Sequence, residues 1–174
     1  SFVIGDRSVA VIDTQVNAPS AAELLRLLRT VTDKPISHVI NTHYHWDHTN
    51  GNALFKKEGA LIVSSKLTKD FMVERAPRQK EFLAGRGFEL GEDPFLPEET
   101  FEGEHTIDLG GMPLRLFFAG RAESDDAIAV HVQLNALPHN SDLSRQVRGV
   151  LGHREWWGDQ GWPSGRWWIC MEFD

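Results

Sequence analysis

The chain has 174 residues, which is the length of one domain and is enough to bury a core without disulfide support. Charged residues make up 25% of it and hydrophobic residues 41%, and these values exclude a disordered chain. The formal net charge of −7, with no cluster of Lys and Arg, predicts no binding to nucleic acid or to an anionic membrane. The single cysteine, Cys170, excludes an intrachain disulfide and a Cys-rich metal site, and no apolar run approaches the roughly 18 residues of a membrane span.

Short apolar strands alternate with helical patterns along the first 132 residues. Ser20 and Glu23 have the spacing of a capping box, and leucines at helical spacing follow, which predicts a helix over residues 20–30. Pro77 is expected to break a later helix. The predicted strands are Phe2–Ile4, Val9–Ile12, Ile36–Asn41, Ala60–Ser64, Thr106–Leu109, Leu114–Phe118 and Ile128–Val132, the other helices are Asn52–Lys57 and Leu67–Ala84, and Arg86–Pro97 is a predicted loop. This order predicts a mixed α/β layered domain.

The sequence changes in character near Gln133. Residues 133–174 contain five of the six tryptophans and show no sustained period of a strand or a helix. Two interpretations stay open: an aromatic-rich loop region, or a tail that is not native because the reading frame is damaged. The first residue is Ser1 rather than Met, so we expect an incomplete or processed chain whose compartment, cytoplasmic or periplasmic, stays open.

Three histidines and a carboxylate fall within six residues directly after the predicted strand that ends at Asn41. They are His43, His45, Asp47 and His48, and neutral imidazole and carboxylate are good ligands for Zn²⁺ and similar ions. Residues two apart on an extended segment point the same way, so His43 and His45 are expected to bind one ion. Asp47 and His48 follow a turn and can face a second ion, and two ions roughly 3.5–4 Å apart can activate one water between them.

The pattern His43-x-His45-x-Asp47-His48 resembles the HxHxDH motif of the metallo-β-lactamase-fold hydrolases, and the order of elements is similar to that superfamily over about residues 2–132. The resemblance implies an αββα sandwich, of which this chain holds the N-terminal half and part of the second half. Residues 1–132 would form the domain, and residues 133–174 would be its tail or a truncated continuation. Asp13 would support the metal-binding loop or, equally, serve as a turn residue at a strand end.

The resemblance also implies two ligands further along the chain. A His ligand follows the next hairpin in the family, and aligning Ile128 with the following strand puts Glu123 at that position. Glu can bind zinc but would make the ion a weaker Lewis acid, and the alternative is an acidic surface loop. The family's bridging Asp corresponds to Asp142, which lies in the tail and is an accidental match if the tail is not native.

The function implied by the resemblance is that of a zinc-dependent hydrolase. A hydroxide on the metal would attack an ester, thioester, lactone or related bond of a small molecule, and Asp47 would be the catalytic residue that orients the nucleophile or relays a proton. Two zinc ions are expected, with iron or manganese as alternatives, and the oligomeric state stays open. A non-catalytic metal-binding or interaction module is a second hypothesis, favoured by Glu123 and the tail. Iron-based redox chemistry is a third, and a His rather than a Glu at position 45 speaks against it.

Overall fold

A computed structural model describes residues 1–87, 95–120 and 122–132, together with the backbone of residues 167–169. The strands are β1 (Phe2–Ile4), β2 (Val9–Ile12), β3 (Ile36–Asn41), β4 (Leu61–Ser65), β5 (Glu99–Phe101), β6 (Glu104–Asp108), β7 (Pro113–Phe118), β8 (Ile128–Val132) and β9 (Trp167–Ile169). The helices are α1 (Ala18–Arg29), α2 (Trp46–Thr49), α3 (Asn52–Lys57) and α4 (Lys66–Ala84). Among the described residues, no helix is long and apolar enough to cross a membrane.

The strands form two sheets. The first has the order β1-β2-β3-β4-β5, in which β1 and β2 pair antiparallel and the other neighbours pair parallel. The second has the order β6-β7-β8-β9 and is antiparallel. Strand β9 comes from the region predicted to lack periodicity, and its backbone pairs with β8.

The described domain has three layers, and an apolar cluster fills each of the two spaces between them. Strands β2, β3 and β4 are apolar on both faces, as strands covered on both sides of a parallel sheet are. Their inner face packs on the second sheet, and their outer face packs on α1 and α3. The first cluster includes Ile12, Ile40, Leu114, Leu116 and Val130, and the second includes Val11, Leu28, Val39, Phe55 and Ile62. This helix–sheet–sheet order confirms the predicted α/β class and supplies three of the four layers of an αββα sandwich.

Several predicted boundaries were wrong. Helix α1 begins at Ala18, and its cap is the Asn17 side chain, which accepts from the Ser20 amide, so Ser20 is not the capping residue. Helix α4 runs through Pro77 without a break. Residues 46–49, predicted as loop, form the single turn α2. Strand β5 was not predicted, and part of the predicted loop over residues 86–97 lies outside the described residues.

Candidate metal centre

The site lies where β2 and β3 end at the same edge of the first sheet. These neighbouring parallel strands stop at Ile12 and Asn41, so Asp13 and Thr42 come together although 29 residues separate them. Asp13 has a φ of 58°, in the left-handed region that Asp adopts more readily than most residues. This turn directs a buried carboxylate beneath the segment that carries the histidines.

The Asp13 carboxylate accepts three hydrogen bonds. Its Oδ1 accepts from the Thr42 amide at 2.8 Å, and its Oδ2 accepts from the Thr42 hydroxyl at 2.7 Å and from His48 Nδ1 at 2.8 Å. Burial alone would raise the pKa of Asp13, but the hydrogen bond and charge of His48 and the two bonds from Thr42 outweigh it, so the pKa lies below its ordinary value. Asp13 therefore stays ionised and supports the loop that carries the histidines, which was one of the two sequence-based interpretations.

Asp13 also determines which ring nitrogens of two histidines carry protons. The Thr42 hydroxyl donates to Asp13, so it accepts from His43 Nδ1, 3.0 Å away. This leaves His43 Nε2 unprotonated, with a lone pair that can bind a metal ion. His48 Nδ1 donates to Asp13, so its Nε2 is also unprotonated in the neutral ring. A metal ligand needs such a lone pair, and the other ring nitrogen of a ligating His usually donates in this way.

Three side chains bring their ligand atoms together beside this network. His43 Nε2, His45 Nδ1 and the Glu123 carboxylate lie within 4.8 Å of one another. His43 Nε2 is 3.1 Å from His45 Nδ1, and Glu123 oxygens lie 3.7 Å from His43 Nε2 and 3.4 Å from His45 Nδ1. The cluster is closed on one side and open on the other, because the side chains of His43, His45 and Glu123 are 3%, 24% and 38% exposed.

These distances fit a single small cation. A tetrahedral zinc ion with bonds of about 2.05 Å separates its ligand atoms by roughly 3.3 Å. Burial and the charges of His48 and His45 lower the pKa of His43, which favours its neutral, ligating form. Two imidazoles and a carboxylate are a donor set that zinc accepts, and that iron and manganese also accept.

Glu123 reaches the cluster on the connection between β7 and β8. The Ile128 amide donates to the Thr42 carbonyl at 3.0 Å, which ties the start of β8 to the loop that carries the histidines. Ser124 Oγ bonds to Asp126 Oδ1, and Ala127 donates to the Ser124 carbonyl, so the residues after Glu123 form a compact turn. These bonds fix the residues that directly follow Glu123.

Asp47 and His48 lie on the adjacent turn, α2. The His48 ring is 4.0 Å from the His43 ring between centroids, and its Nε2 is 3.5 Å from Asp47 Oδ2. Burial lowers the pKa of His48, but the hydrogen bond and charge of Asp13, with the charges of Asp47 and Glu123, outweigh it and raise the pKa. The Asp47 side chain is 43% exposed. Asp142, the predicted bridging ligand, lies outside the described residues.

A buried polar network beneath the turn was not predicted from the sequence. Thr14 donates its amide to the His48 carbonyl at 2.8 Å and its hydroxyl to Asn52 at 2.9 Å, while Asn41 and Asn52 exchange two bonds. A Cβ on Gly51 would lie 2.0 Å from the Thr14 carbonyl oxygen, so only glycine permits this approach. The sequence offered one indication of this network, since Asn41 ends a predicted strand and Asn52 begins a predicted helix.

Comparisons with known proteins agree with the fold. The family model of the metallo-beta-lactamase superfamily matches residues 1–135. A metallo-beta-lactamase type 2 from Bacteroides fragilis is 23% identical over 129 residues, which are 74% of this chain and 45% of that protein. The structure of a metallo-beta-lactamase from Pontibacter korlensis matches with a TM-score of 0.61 and 24% identity, over 75% of this chain and 53% of that one. One from Hirschia baltica matches with a TM-score of 0.51 and 21% identity, over 74% and 52%. The chain thus spans about half the length of these relatives.

Proposed function

The chain belongs to the metallo-beta-lactamase superfamily, and from this premise we propose that it is a metal-dependent hydrolase that cleaves an ester, thioester, lactone or related bond of a small molecule. The observation that carries the proposal is the cluster of His43, His45 and Glu123, which is closed at His43 and open at Glu123. Three protein ligands with an open side are typical of catalytic zinc, whereas structural zinc sites are closed by four ligands.

Each side chain of the site has a proposed role. When bound, a divalent ion supplies Lewis-acid activation of a water and of the scissile bond. His43 Nε2, His45 Nδ1 and Glu123 would hold the ion, and Asp13 would keep His43 in the tautomer that binds. The exposed Asp47 carboxylate would orient the nucleophile and take its proton at the open side.

A second ion would need further donors. His48 Nε2 and Asp47 Oδ2 are adjacent and contribute two, and Asp142 stays a prediction as the third. Zinc is the proposed metal because two imidazoles and a carboxylate suit it. Reloading the metal-free chain with iron or manganese instead of zinc, and comparing the metal bound and the hydrolysis, checks that preference.

The proposal is tested by metal content and hydrolysis together. The chain is stripped with a chelator, reloaded separately with zinc, iron and manganese, and analysed for bound metal per chain. Each form is then assayed on chromogenic esters, thioesters and lactones. We expect Glu123→Gln to lose metal and hydrolysis. Glu99→Gln is a matched control, since Glu99 lies 3.2 Å from His105 Nε2 and is similarly exposed, at 40%.

The outcomes separate three possibilities. Two zinc ions per chain with hydrolysis support the binuclear enzyme and Asp142 as a ligand, and one ion with hydrolysis supports the His43–His45–Glu123 site alone. Bound metal without hydrolysis of any bond class favours the non-catalytic metal-binding module. No bound metal after reloading, or equal metal in Glu123→Gln and wild type, refutes the proposed site.

A further inference from the structure

Arg75 lies beside the metal-binding loop, with its guanidinium held on aromatic rings. Its Cζ is 3.4 Å from the centroid of Phe71, one turn earlier on α4, and 5.3 Å from the centroid of Tyr44. Tyr44 lies between His43 and His45 in the sequence, and the centroid of its ring is 4.6 Å from that of His45. Cation–π contacts of Arg75 and the edge-to-face contact of Tyr44 with His45 therefore link α4 to the candidate metal centre.

Arg75 has no carboxylate partner among the described residues, and the same holds for Arg78 and Arg86 on or beside the same helix. Arg7, Arg29 and Arg115, by contrast, each lie within 3.3 Å of a carboxylate oxygen. The neighbouring Asp70 on α4 is paired with Lys66. Stacking uses the flat face of a guanidinium, while its N–H donors lie in the plane, so the stacked Arg75 keeps an edge that can bind an anion.

We propose that Arg75 determines substrate specificity by binding a carboxylate on the substrate while the scissile bond lies at the His43–His45–Glu123 cluster. This inference rests on the proposed function. A guanidinium binds a carboxylate through two parallel hydrogen bonds, and the rings of Phe71 and Tyr44 fix the plane in advance. The Tyr44 ring contacts both Arg75 and His45, so Arg75 lies two side-chain contacts from the cluster.

The test compares two esters that differ in one charge. The mono-p-nitrophenyl ester of glutaric acid carries a free carboxylate, and p-nitrophenyl pentanoate is its neutral counterpart. With the zinc-loaded chain, we expect Arg75→Met to lower the ratio of kcat/KM for the anionic over the neutral ester by on the order of 10- to 100-fold, the effect of a charge-assisted pair. Arg75→Lys keeps the charge without the planar fork and should lose part of that ratio.

Arg86→Met is the matched control. Arg86 also stacks on a ring, 4.1 Å from the centroid of Phe82, but it follows the far end of α4. We expect Arg86→Met to keep the wild-type ratio. A ratio that is unchanged in Arg75→Met, or that falls equally in Arg86→Met, overturns the proposal.

A binding measurement separates this proposal from the proposed function. Glutarate is titrated into the metal-free chain and followed by two-dimensional NMR, with thermal unfolding as a check that each variant is folded. Saturable binding that Arg75→Met loses and Arg86→Met retains supports the anion site even if neither ester is hydrolysed. Hydrolysis of both esters, with glutarate binding absent or equal in wild type and Arg75→Met, leaves the hydrolase intact and overturns the role of Arg75.

Discussion

Replacing Asp13 by Asn should weaken metal binding although the side chain at this position is not a proposed ligand. A carboxylate accepts at both oxygens, whereas a carboxamide accepts at one and donates at the other. If the carboxamide oxygen keeps the bond from the Thr42 amide, its NH₂ group faces the Thr42 hydroxyl and His48 Nδ1, which in the wild type donate to Asp13 Oδ2. The hydroxyl must then donate to His43 Nδ1, and His48 Nδ1 must accept. Both rings would move their proton to Nε2, the nitrogen that faces the site.

The magnitude follows from the number of bonds that change. Changes of this kind to residues that orient metal ligands cost roughly 10- to 100-fold in metal affinity. Hydrogen bonds to a charged group contribute about 1.5–3 kcal/mol each, and the carboxamide restores part of the three that Asp13 accepts. We therefore expect the free energy of unfolding of the metal-free chain to fall by about 2 kcal/mol.

Three measurements check this reasoning. Zinc affinity is measured by competition with a chromogenic chelator, stability by urea unfolding in EDTA, and the tautomers of His43 and His48 by ¹⁵N chemical shifts. Asp108→Asn is the control, because Asp108 also accepts backbone amides, from Gly110 and Gly111, but far from the site in sequence and on another turn. Wild-type zinc affinity in Asp13→Asn, or unchanged tautomers with reduced affinity, would refute the tautomer argument.

Three further predictions concern stability and are measured by urea or thermal unfolding. Gly51→Ala should lower the free energy of unfolding by about 3 kcal/mol, because the added Cβ would lie 2.0 Å from the Thr14 carbonyl oxygen. Gly85→Ala is the control and should leave that free energy unchanged, because the nearest atoms to its added Cβ are 3.5 Å away. Equal losses in the two variants would contradict the predicted clash. Phe55→Ala should cost about 3–5 kcal/mol, because the ring is fully buried between the first sheet and its helices, and a loss below about 1 kcal/mol would show that the site collapses freely. Hydrogen bonds from the Gly110 and Gly111 amides, and then the charge of Arg7, lower the pKa of Asp108. The ionised Asp108 carboxylate therefore stabilises the fold fully above the unfolded-state pKa of about 4, and this stabilisation is lost as the pH falls through the lower folded-state pKa. Asp108→Asn should therefore unfold with a weaker dependence on pH in that range, and an unchanged acid profile would contradict this.

Local patterns predicted most of the elements of the described domain. Apolar runs such as Ile36–Asn41 and Val9–Ile12 are strands as predicted, because the core covers both of their faces. The prediction of Ser20 as the capping residue was wrong because proline favours the first turn of a helix. Pro19 therefore lies inside α1, and the residue that caps the helix, Asn17, precedes it. The turn α2 was missed because its four residues are held by tertiary bonds, among them the one from Thr14 to the His48 carbonyl, rather than by helical propensity.

The candidate site was predicted from spacing where its residues are close in sequence, and from the family resemblance alone for Glu123, far along the chain. The spacing of His43 and His45 suggested a shared ion without any tertiary information. The role of Asp13 stayed undecided, because choosing between a turn residue and a support for the loop required the distance to Thr42 and His48 across parallel strands. The position of Arg75 could not be predicted from the sequence. Its spacing of four residues from Phe71 on a helix allows the two side chains to contact each other, but it does not show that Arg75 also contacts Tyr44.

The charge balance of the site connects Glu123 to Arg75. Two neutral imidazoles leave a bound divalent ion with both positive charges, whereas Glu123 removes one of them, so the ion attracts an anion less strongly. The chain as a whole repels anions, because its formal net charge is −7. At physiological ionic strength charges are screened beyond about 8 Å, so an anionic substrate responds mainly to groups close to the cluster. Arg75 is the proposed group, because its guanidinium lies against Tyr44, whose ring contacts His45. Hydrolysis of an anionic ester should therefore fall more steeply with added salt than hydrolysis of a neutral one, and Arg75→Met should reduce that difference.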